Sequence, residues 1–256
     1  MYKGKRVSVV IPCHNEEEGV RVTLSDMPTL VDEVVVVDNN CTDSTAQVAE
    51  SMGAVVVHEE RKGYGAAYKA GFSRATGDII VTMDGDGTYP RSFIIVLLEI
   101  MIEEDWDFIT CDRTGHREKG AGTFIRILGN SVLNWTMFLL YFFHLRDSQT
   151  GMWVFKRSIL PRLTITSDGM AFSEELKIEA FSKRDLRCTE LPIYYRARIG
   201  ESKLNVWKDG FYNLFFLLRK RFGLVDKSTV RGFASLVPDA ALGATDELSS
   251  HEPAHE

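Results

Sequence analysis

The chain has 256 residues, 45% of them hydrophobic, which is enough for one α/β domain with a substantial core. Its formal net charge of −6 argues against a dedicated nucleic-acid binder, because such proteins carry a basic surface that neutralises phosphates. The four cysteines form no CxxC pair, so the sequence indicates neither a zinc site nor a disulfide framework and favours a reducing cytoplasm.

The first half of the chain alternates between short apolar strands and helices. Strands are predicted over residues 7–11, 34–37, 54–57 and 78–83. Helices are predicted between them, including one that ends near residue 52, with Thr42 and Asp43 as its candidate N-cap, and one over residues 65–75. This order predicts an α/β fold: a mostly parallel central sheet, helices on both faces, and ligands bound beyond the carboxyl ends of the strands.

The alternation becomes less regular in the second half. Helices are predicted over residues 93–103 and 124–143, strands over 107–110 and 152–155, and further helices after these. We expect this half to supply the acceptor side of a binding site. Residues 228–256 are rich in Gly, Ala, Ser, Asp, Glu and His and are predicted to form a flexible tail.

Export and membrane insertion are not indicated. Residues 1–6 lead into an apolar strand without the features of a signal peptide, and no apolar run reaches the roughly 18 residues that span a bilayer. Residues 132–143 and 211–218 come nearest. Their aromatic residues beside Arg and Lys suit either buried helices or a surface at a membrane interface.

The sharpest local motif is Asp84-Gly85-Asp86-Gly87, which follows the fourth predicted strand. Two carboxylates at a strand end, with glycines that let the backbone turn, suit a divalent cation held together with a diphosphate. Oxygen ligands favour Mg²⁺ or Mn²⁺ over zinc. An isolated Asp- and Gly-rich stretch is also typical of a surface turn, but its position after a strand of an α/β pattern favours the metal site.

Four segments resemble, in order and spacing, the donor-site motifs of family 2 glycosyltransferases with the GT-A fold. They are residues 9–17, 36–45, 62–67 and 84–86. Residues 147–151, 155–157 and 198–204 further resemble the acceptor half of dolichyl-phosphate mannose synthases and related polyprenyl-phosphate glycosyltransferases. The resemblance implies one GT-A domain over residues 1–227, with a donor half over about 5–115 and an acceptor half over about 116–222.

The resemblance also implies roles for individual residues. The expected neighbours of the donor nucleotide are Pro12, Asn15, Glu16, Asp38 and Lys62. Asp84, Gly85 and Asp86 are expected to bind the diphosphate and the metal, with Asp86 the more direct ligand. Helix capping is the alternative for Asn15 and Glu16. Gly87 and Thr88 depart from the mannose-synthase pattern and leave the third metal ligand and the sugar open.

Phosphate contacts are expected from basic residues, because the arginine fork matches phosphate oxygens. The candidates are Arg113, Arg126, Arg198 and Lys203. Each is also compatible with an ordinary surface cation; Arg198 and Lys203 lie within a matched motif.

The implied activity is an inverting transfer of a hexose from a GDP- or UDP-sugar to a polyprenyl phosphate. A lipid phosphate is largely dianionic at neutral pH and needs no base, whereas a hydroxyl acceptor does. Glu174 and Glu175 lie where hydroxyl-using relatives have an acidic catalytic residue, so transfer to a saccharide hydroxyl with Glu175 as base is the alternative. Peripheral contact at the cytoplasmic face of a membrane is expected through residues 132–143 and 206–221.

Other classes fit less well. The first strand is not followed by the GxGxxG turn of a dinucleotide-dependent oxidoreductase, nor by the basic glycine-rich loop of a nucleotidyltransferase. A noncatalytic sugar- or lipid-binding protein of the same fold is a further alternative, against which Asp84, Asp86 and Lys203 argue.

Overall fold

The computed structural model describes residues 1–118, 124–200 and 205–225. The strands are β1 (Val7–Cys13), β2 (Glu33–Asp38), β3 (Val55–His58), β4 (Ile79–Thr82), β5 (Phe108–Arg117), β6 (Trp153–Lys156) and β7 (Cys188–Tyr195). The helices are α1 (Glu17–Ser25), α2 (Thr45–Ser51), α3 (Tyr64–Arg74), α4 (Phe93–Glu103), α5 (Phe124–Tyr141), α6 (Phe172–Phe181) and α7 (Val206–Arg221), with a 3₁₀ helix over Arg157–Arg162. The predicted tail over residues 228–256 lies outside the described residues.

One seven-stranded sheet has the order β3-β2-β1-β4-β6-β5-β7. The first four strands are parallel, as the alternating sequence predicts. Strand β6 lies between β4 and β5 and is antiparallel to both. The expected α/β fold with a mostly parallel sheet is therefore confirmed, and the sheet continues without a break from the expected donor half into the acceptor half.

Two features of the second half differ from the expectation. Strand β5 continues to Arg117, well past the predicted end at residue 110, because β7 pairs with it as far as Tyr195. Strand β7 lies where the sequence suggested only helices. Pro192 obscures its strand pattern, and the strand lies at the edge of the sheet, where a residue without an N–H group is tolerated.

Apolar side chains on the two sides of the sheet form two separate cores. Alternate residues of β1 face opposite ways: Val9 packs with α1, α2 and α4, whereas Val10 packs with α3 and α6. Helix α3 lies so close to the sheet that a Cβ on Gly71 would come within 2.4 Å of the Val10 side chain. This close packing holds the strand ends, and the loops that follow them, in fixed positions.

A third apolar cluster joins α5 and α7 to α6. Its buried members are Leu133, Met137, Leu145, Ile178 and Leu217. The Tyr141 hydroxyl donates a hydrogen bond to the Leu217 carbonyl at 2.9 Å, which ties α5 to α7. Within the part of the chain that the structure describes, no helix is long and apolar enough to cross a membrane.

The start of α2 differs in detail from the prediction. The capping position is Ser44, which makes no side-chain capping bond. The capping bond comes instead from the preceding residue, Asp43, whose carboxylate accepts a hydrogen bond from the Thr45 N–H at 3.1 Å. Thr42 instead donates its N–H to the Asn15 side chain at 2.6 Å, so it joins two loops of the candidate site.

Candidate active site

The carboxyl ends of β1 and β2 meet at one edge of the sheet. Cys13 and Asp38 are direct partners in the β1–β2 register, and Pro12 pairs with Val37 beside them. Asn15, which follows β1, adopts the left-handed backbone conformation with φ of 55° and accepts the Thr42 hydrogen bond. Pro12, Asn15 and Asp38, three of the residues expected near the donor nucleotide, thus lie at the same edge of the sheet.

Asp38 is held in a defined orientation. It accepts a hydrogen bond from the Cys41 N–H at 2.7 Å, and its other oxygen lies 2.9 Å from the His58 ring. Burial raises the pKa of this carboxyl, but the bonds from Cys41 and His58 outweigh it and leave the pKa below its ordinary value. Asp38 is therefore an oriented carboxylate, suitable for accepting hydrogen bonds from a ligand hydroxyl.

The buried side chain of Asn39 joins this edge to the segment that carries Lys62. Its amide donates to the carbonyls of Glu59 and Arg61 at 3.0 and 2.8 Å, and its oxygen accepts from the Gly63 N–H at 2.9 Å. Lys62 is exposed beside this anchored backbone. The sequence analysis did not single out Asn39, although its position next to Asp38 was a signal.

Asp86 lies in a charged triad that spans the chain. Its Oδ2 accepts from Arg198 Nη1 at 2.7 Å, and the other terminal nitrogen of Arg198 pairs with Glu16. Its Oδ1 accepts from the Thr88 hydroxyl at 2.6 Å. Glu16 lies at the start of α1 but makes no side-chain capping bond, so the structure does not support helix capping as the role of Glu16.

Asp84 stands on the same loop in a more enclosed position. Tyr64 donates its hydroxyl to Asp84 Oδ1 at 3.1 Å, and a Cβ on Gly151 would lie only 2.8 Å from the same oxygen. Burial, together with the negative charge of Asp86, raises the pKa of Asp84 to about 7, although Arg113 and Arg198 oppose the rise. Gly85 permits this arrangement, because a Cβ there would lie 2.5 Å from the Cys13 sulfur.

The donor set of this loop fits a hard divalent cation. Two carboxylates and the Thr88 hydroxyl offer oxygen atoms only, which Mg²⁺ and Mn²⁺ prefer. Burial is the main cause of the raised pKa of Asp84, and the charge of the nearby Asp86 adds to it, so a bound cation would offset both effects. No group of three or more His, Cys, Asp or Glu side chains suited to a metal occurs among the described residues. A cation here would depend on ligand oxygens to complete its coordination.

The candidate phosphate-binding cations differ in their surroundings. The Arg113 guanidinium forms a fork with the buried Asp147, at 2.6 and 2.9 Å, and lies 5.1 Å from the Tyr195 ring centroid. The Arg113 guanidinium is thus paired with Asp147, whereas Arg198 is paired with Asp86 of the carboxylate loop. Lys203 lies outside the described residues, and nothing is described of the Arg126 side chain. Their proposed phosphate contacts remain predictions.

The two glutamates of α6 have different environments. Both oxygens of Glu175 are engaged, with bonds from the Thr166 N–H at 2.9 Å, the Ser167 N–H at 2.7 Å and Lys220 at 2.9 Å. Glu174 accepts from Gln149 at 2.6 Å, and its second oxygen is buried with no hydrogen-bond partner among the described residues. Glu174 is therefore the less committed carboxylate of the pair.

The buried side chain of Lys177, on α6, holds the segment over residues 148–150 in place. Lys177 donates to the carbonyls of Ser148 and Thr150 at 2.7 and 3.0 Å, and to the Ser173 hydroxyl at 2.8 Å. The sequence analysis missed Lys177, Tyr64 and Asp147. The matched segments over residues 147–151 and 62–67 were the available signals for Asp147 and Tyr64, whereas nothing local marks Lys177.

The fold and this loop define a class of protein, the glycosyltransferases, and comparison with known proteins identifies the family. Residues 8–164 match the family described as Glycosyl transferase family 2. The chain belongs to this family and is a glycosyltransferase.

Similar proteins include two from Haloferax volcanii. One, named low-salt glycan biosynthesis hexosyltransferase Agl6, is 35% identical over 83% of this chain; the chain spans only 53% of that protein's length. The other, named dolichyl-phosphate hexose transferase, is 33% identical over 80% of this chain and 89% of its own. They support the resemblance to polyprenyl-phosphate glycosyltransferases.

Solved structures agree on the fold. Glucosyl-3-phosphoglycerate synthase from Mycobacterium tuberculosis, in complex with Mn²⁺, UDP-glucose and phosphoglyceric acid, superposes with a TM-score of 0.71. It covers 87% of this chain and 82% of the synthase chain at 21% identity. The expected GT-A architecture is confirmed, and the ligands in that structure belong to that protein.

Proposed function

We propose that this chain transfers a hexose, with inversion, from a GDP- or UDP-sugar to a polyprenyl phosphate in a reaction that depends on Mg²⁺ or Mn²⁺. The observation that carries the proposal is the pair Asp84 and Asp86 at the end of β4, with Arg198 beside Asp86. The similarity to a dolichyl-phosphate hexose transferase over most of both chains supports the choice of acceptor.

The residues of the loop suit the departure of a nucleoside diphosphate. When bound, the divalent cation supplies positive charge to the diphosphate oxygens. Arg198 lies at the same place and adds a guanidinium that matches phosphate geometry. Asn15, Glu16 and Asp38, with Pro12 and Lys62 nearby, would orient the nucleoside. A dianionic lipid phosphate attacks the anomeric carbon without losing a proton, so this reaction needs no base.

Transfer to a sugar hydroxyl is the alternative, with Glu175 as the base. The four hydrogen bonds to the Glu175 oxygens weigh against it, because a base needs an oxygen free to receive a proton. The corresponding test is Glu175→Gln. A loss of hydroxyl transfer with unchanged donor binding would favour the alternative.

We also propose that the enzyme works at the cytoplasmic face of a membrane, on which α5 and α7 lie. Large apolar side chains of both helices are exposed: Trp135 at 64%, Leu139 at 66%, Trp207 at 67% and Phe211 at 66%. Lys220 does not belong to this surface, since it turns inward to Glu175 and Glu179. Arg221 is exposed at the end of α7 and suits an anionic headgroup.

The deciding experiment incubates the protein with a short polyprenyl phosphate, Mn²⁺ or Mg²⁺, and a set of UDP- and GDP-sugars, and follows glycolipid by mass spectrometry. We expect one sugar to be transferred, EDTA to abolish product, and Asp86→Asn to lower the rate by about two to three orders of magnitude.

The matched control is Asp185→Asn, an exposed aspartate paired with Arg162 away from the loop, which should leave the rate unchanged. Glycolipid formed at full rate in EDTA, or by Asp86→Asn, would refute the metal-dependent mechanism. Absence of glycolipid despite donor binding would refute the lipid-phosphate acceptor.

A further inference from the structure

A cavity lies outside the carboxylate loop, between the turn after α1 and the start of α4. Its volume is about 450 Å³, and its walls include Asp26, Thr29, Arg91, Ser92, Ile95 and Arg196. None of these residues has a role in the proposed transfer. Two guanidinium groups and two hydroxyls against one carboxylate make the walls basic and rich in hydrogen-bond donors.

Arg91 is the most unusual of these residues. Its side chain is only 6% exposed, and one terminal nitrogen reaches Asp26 at 2.8 Å. Its Nε and Nη1 are buried without a hydrogen-bond partner among the described residues. A buried guanidinium that uses one donor position of several is costly, because the remaining N–H groups have lost water without gaining a protein acceptor.

The protein's own counter-charge at the cavity is weak. Asp26, the only described ion-pair partner of Arg91, is 75% exposed, so solvent screens the pair. Arg196 is exposed, and its guanidinium makes no ion pair with any residue that the structure describes. The cavity therefore holds two positive charges that the protein balances with one exposed carboxylate.

The backbone adds to this positive field. Helix α4 has eleven residues and begins at the cavity wall, so the positive end of its dipole points to the same space. Ser92 caps α4 without a side-chain hydrogen bond, which leaves its hydroxyl available. Together with the Arg91 observation, the helix end favours an anion with several acceptor oxygens over a neutral ligand.

We propose that this cavity binds a phosphate-bearing anion, held by the guanidinium groups of Arg91 and Arg196 and the Ser92 hydroxyl at the start of α4. The ligand chemistry is a phosphate group, supplied by a free phosphorylated compound or by a lipid headgroup. The cavity is separate from the donor site but adjoins it: the Arg196 N–H donates to the Thr88 carbonyl at 2.9 Å, and the Ile199 N–H to the Asp86 carbonyl at 3.0 Å.

The test titrates inorganic phosphate into the metal-free protein by calorimetry at constant ionic strength, so no transfer activity is needed. We expect saturable binding that is weakened at least about tenfold in Arg196→Gln, because this variant removes one of the two guanidinium groups at an exposed position. Arg91→Lys keeps the charge but loses the fork, and it should weaken binding by a similar factor.

Two control variants separate this site from others. Arg184→Gln removes an exposed arginine that precedes β7, at the end of the strand opposite to Arg196. Arg198→Gln removes the cation of the carboxylate loop. Phosphate affinity should stay within about twofold in both variants. Absence of saturable binding by the unaltered protein would overturn the proposal. So would a loss of affinity in Arg198→Gln alone, which would assign the phosphate to the donor site.

The two sources are distinguished with phosphatidylcholine vesicles that contain phosphatidate. Weaker phosphatidate-dependent binding of Arg196→Gln, with competition by inorganic phosphate, would identify a lipid headgroup. Equal vesicle binding by both proteins, with phosphate binding still lost in the variant, would identify a free phosphorylated compound.

Discussion

At the scale of single residues, burial determines the protonation state of the Glu174 carboxyl. Burial raises its pKa from the ordinary 4.5 to about 8, although the Gln149 hydrogen bond and the Lys177 charge oppose the rise. Its neighbour Lys177 shifts the opposite way, to about 7, since burial disfavours the ammonium even beside Asp147. Near neutral pH, the folded protein therefore keeps Glu174 largely protonated and Lys177 partly deprotonated, whereas both groups are charged in the unfolded chain.

A pH dependence of stability follows from Glu174. Its folded pKa is raised, so between about pH 4.5 and 8 the folded state keeps a proton that the unfolded state has released. The unfolding free energy should therefore fall as pH rises through that window, by up to about 1.4 kcal/mol per pH unit from this group. Glu174→Gln cannot titrate and should show a shallower decline.

Urea unfolding of both proteins across that pH range measures the difference. Lys177 and Asp84 titrate in both proteins. Because the Glu174 charge also raises the pKa of Lys177, the comparison measures Glu174 together with its coupling to Lys177. Parallel pH profiles for the two proteins would contradict the raised pKa.

At the scale of elements, α5 and α7 face two environments. One side of the pair packs on α6 through Met137 and Leu217, which are almost fully buried. Other large apolar side chains are exposed: Phe215 of α7 at 59% and Phe142, directly after α5, at 78%. Such exposure is unusual for a surface in contact with water alone. The sequence predicted a membrane contact through residues 132–143 and 206–221, but it left open which apolar residues of these helices are buried in the protein.

Membrane binding should depend on the exposed side of this pair. We expect the double variant Trp135→Ser, Trp207→Ser to bind anionic vesicles at least about tenfold more weakly, because each indole buries an apolar area worth roughly 1.5–3 kcal/mol. Flotation or sedimentation with vesicles measures the change. Met52→Ser, at the end of α2, is the control and should bind like the unaltered protein. Equal binding by the double variant would exclude this surface as the contact.

At the scale of the whole molecule, the site depends on contacts between distant parts of the chain. Arg198 and Asp86 are 112 positions apart, and Asp147 is 34 from Arg113. The segment after β7 carries Arg198 to Asp86, since the neighbouring Ile199 N–H donates to the Asp86 carbonyl. Strand β6 makes the Arg113–Asp147 contact possible, because its antiparallel insertion between β4 and β5 brings the segment before it to the ends of those strands. Lys177 then holds that segment through carbonyls more than 20 residues away.

Lys177→Met tests this long-range attachment. The variant keeps most of the side-chain volume but leaves the Ser148 and Thr150 carbonyls without their donor, so we expect a loss of about 3 kcal/mol in unfolding free energy at neutral pH. Chemical denaturation measures it. Lys183→Met, at a partly exposed lysine just after α6, should change stability by less than about 0.5 kcal/mol. A similar small change in Lys177→Met would mean that the segment is held by other contacts.

The sequence by itself determined the features that depend on neighbouring residues. The first four strands, the helices between them, Asp38 at the end of β2 and the loop that carries Asp84 and Asp86 follow from local periodicity and from motifs at strand ends. It also predicted the family. Tertiary structure alone decided the place of β6, the existence of β7, and the pairing of Arg113 with Asp147 and of Arg198 with Asp86. The physical reason is sequence separation. Strand pairing and buried ion pairs join residues that are far apart in the chain, and the sequence around one residue does not indicate its partner. Only the packed sheet specifies these pairs.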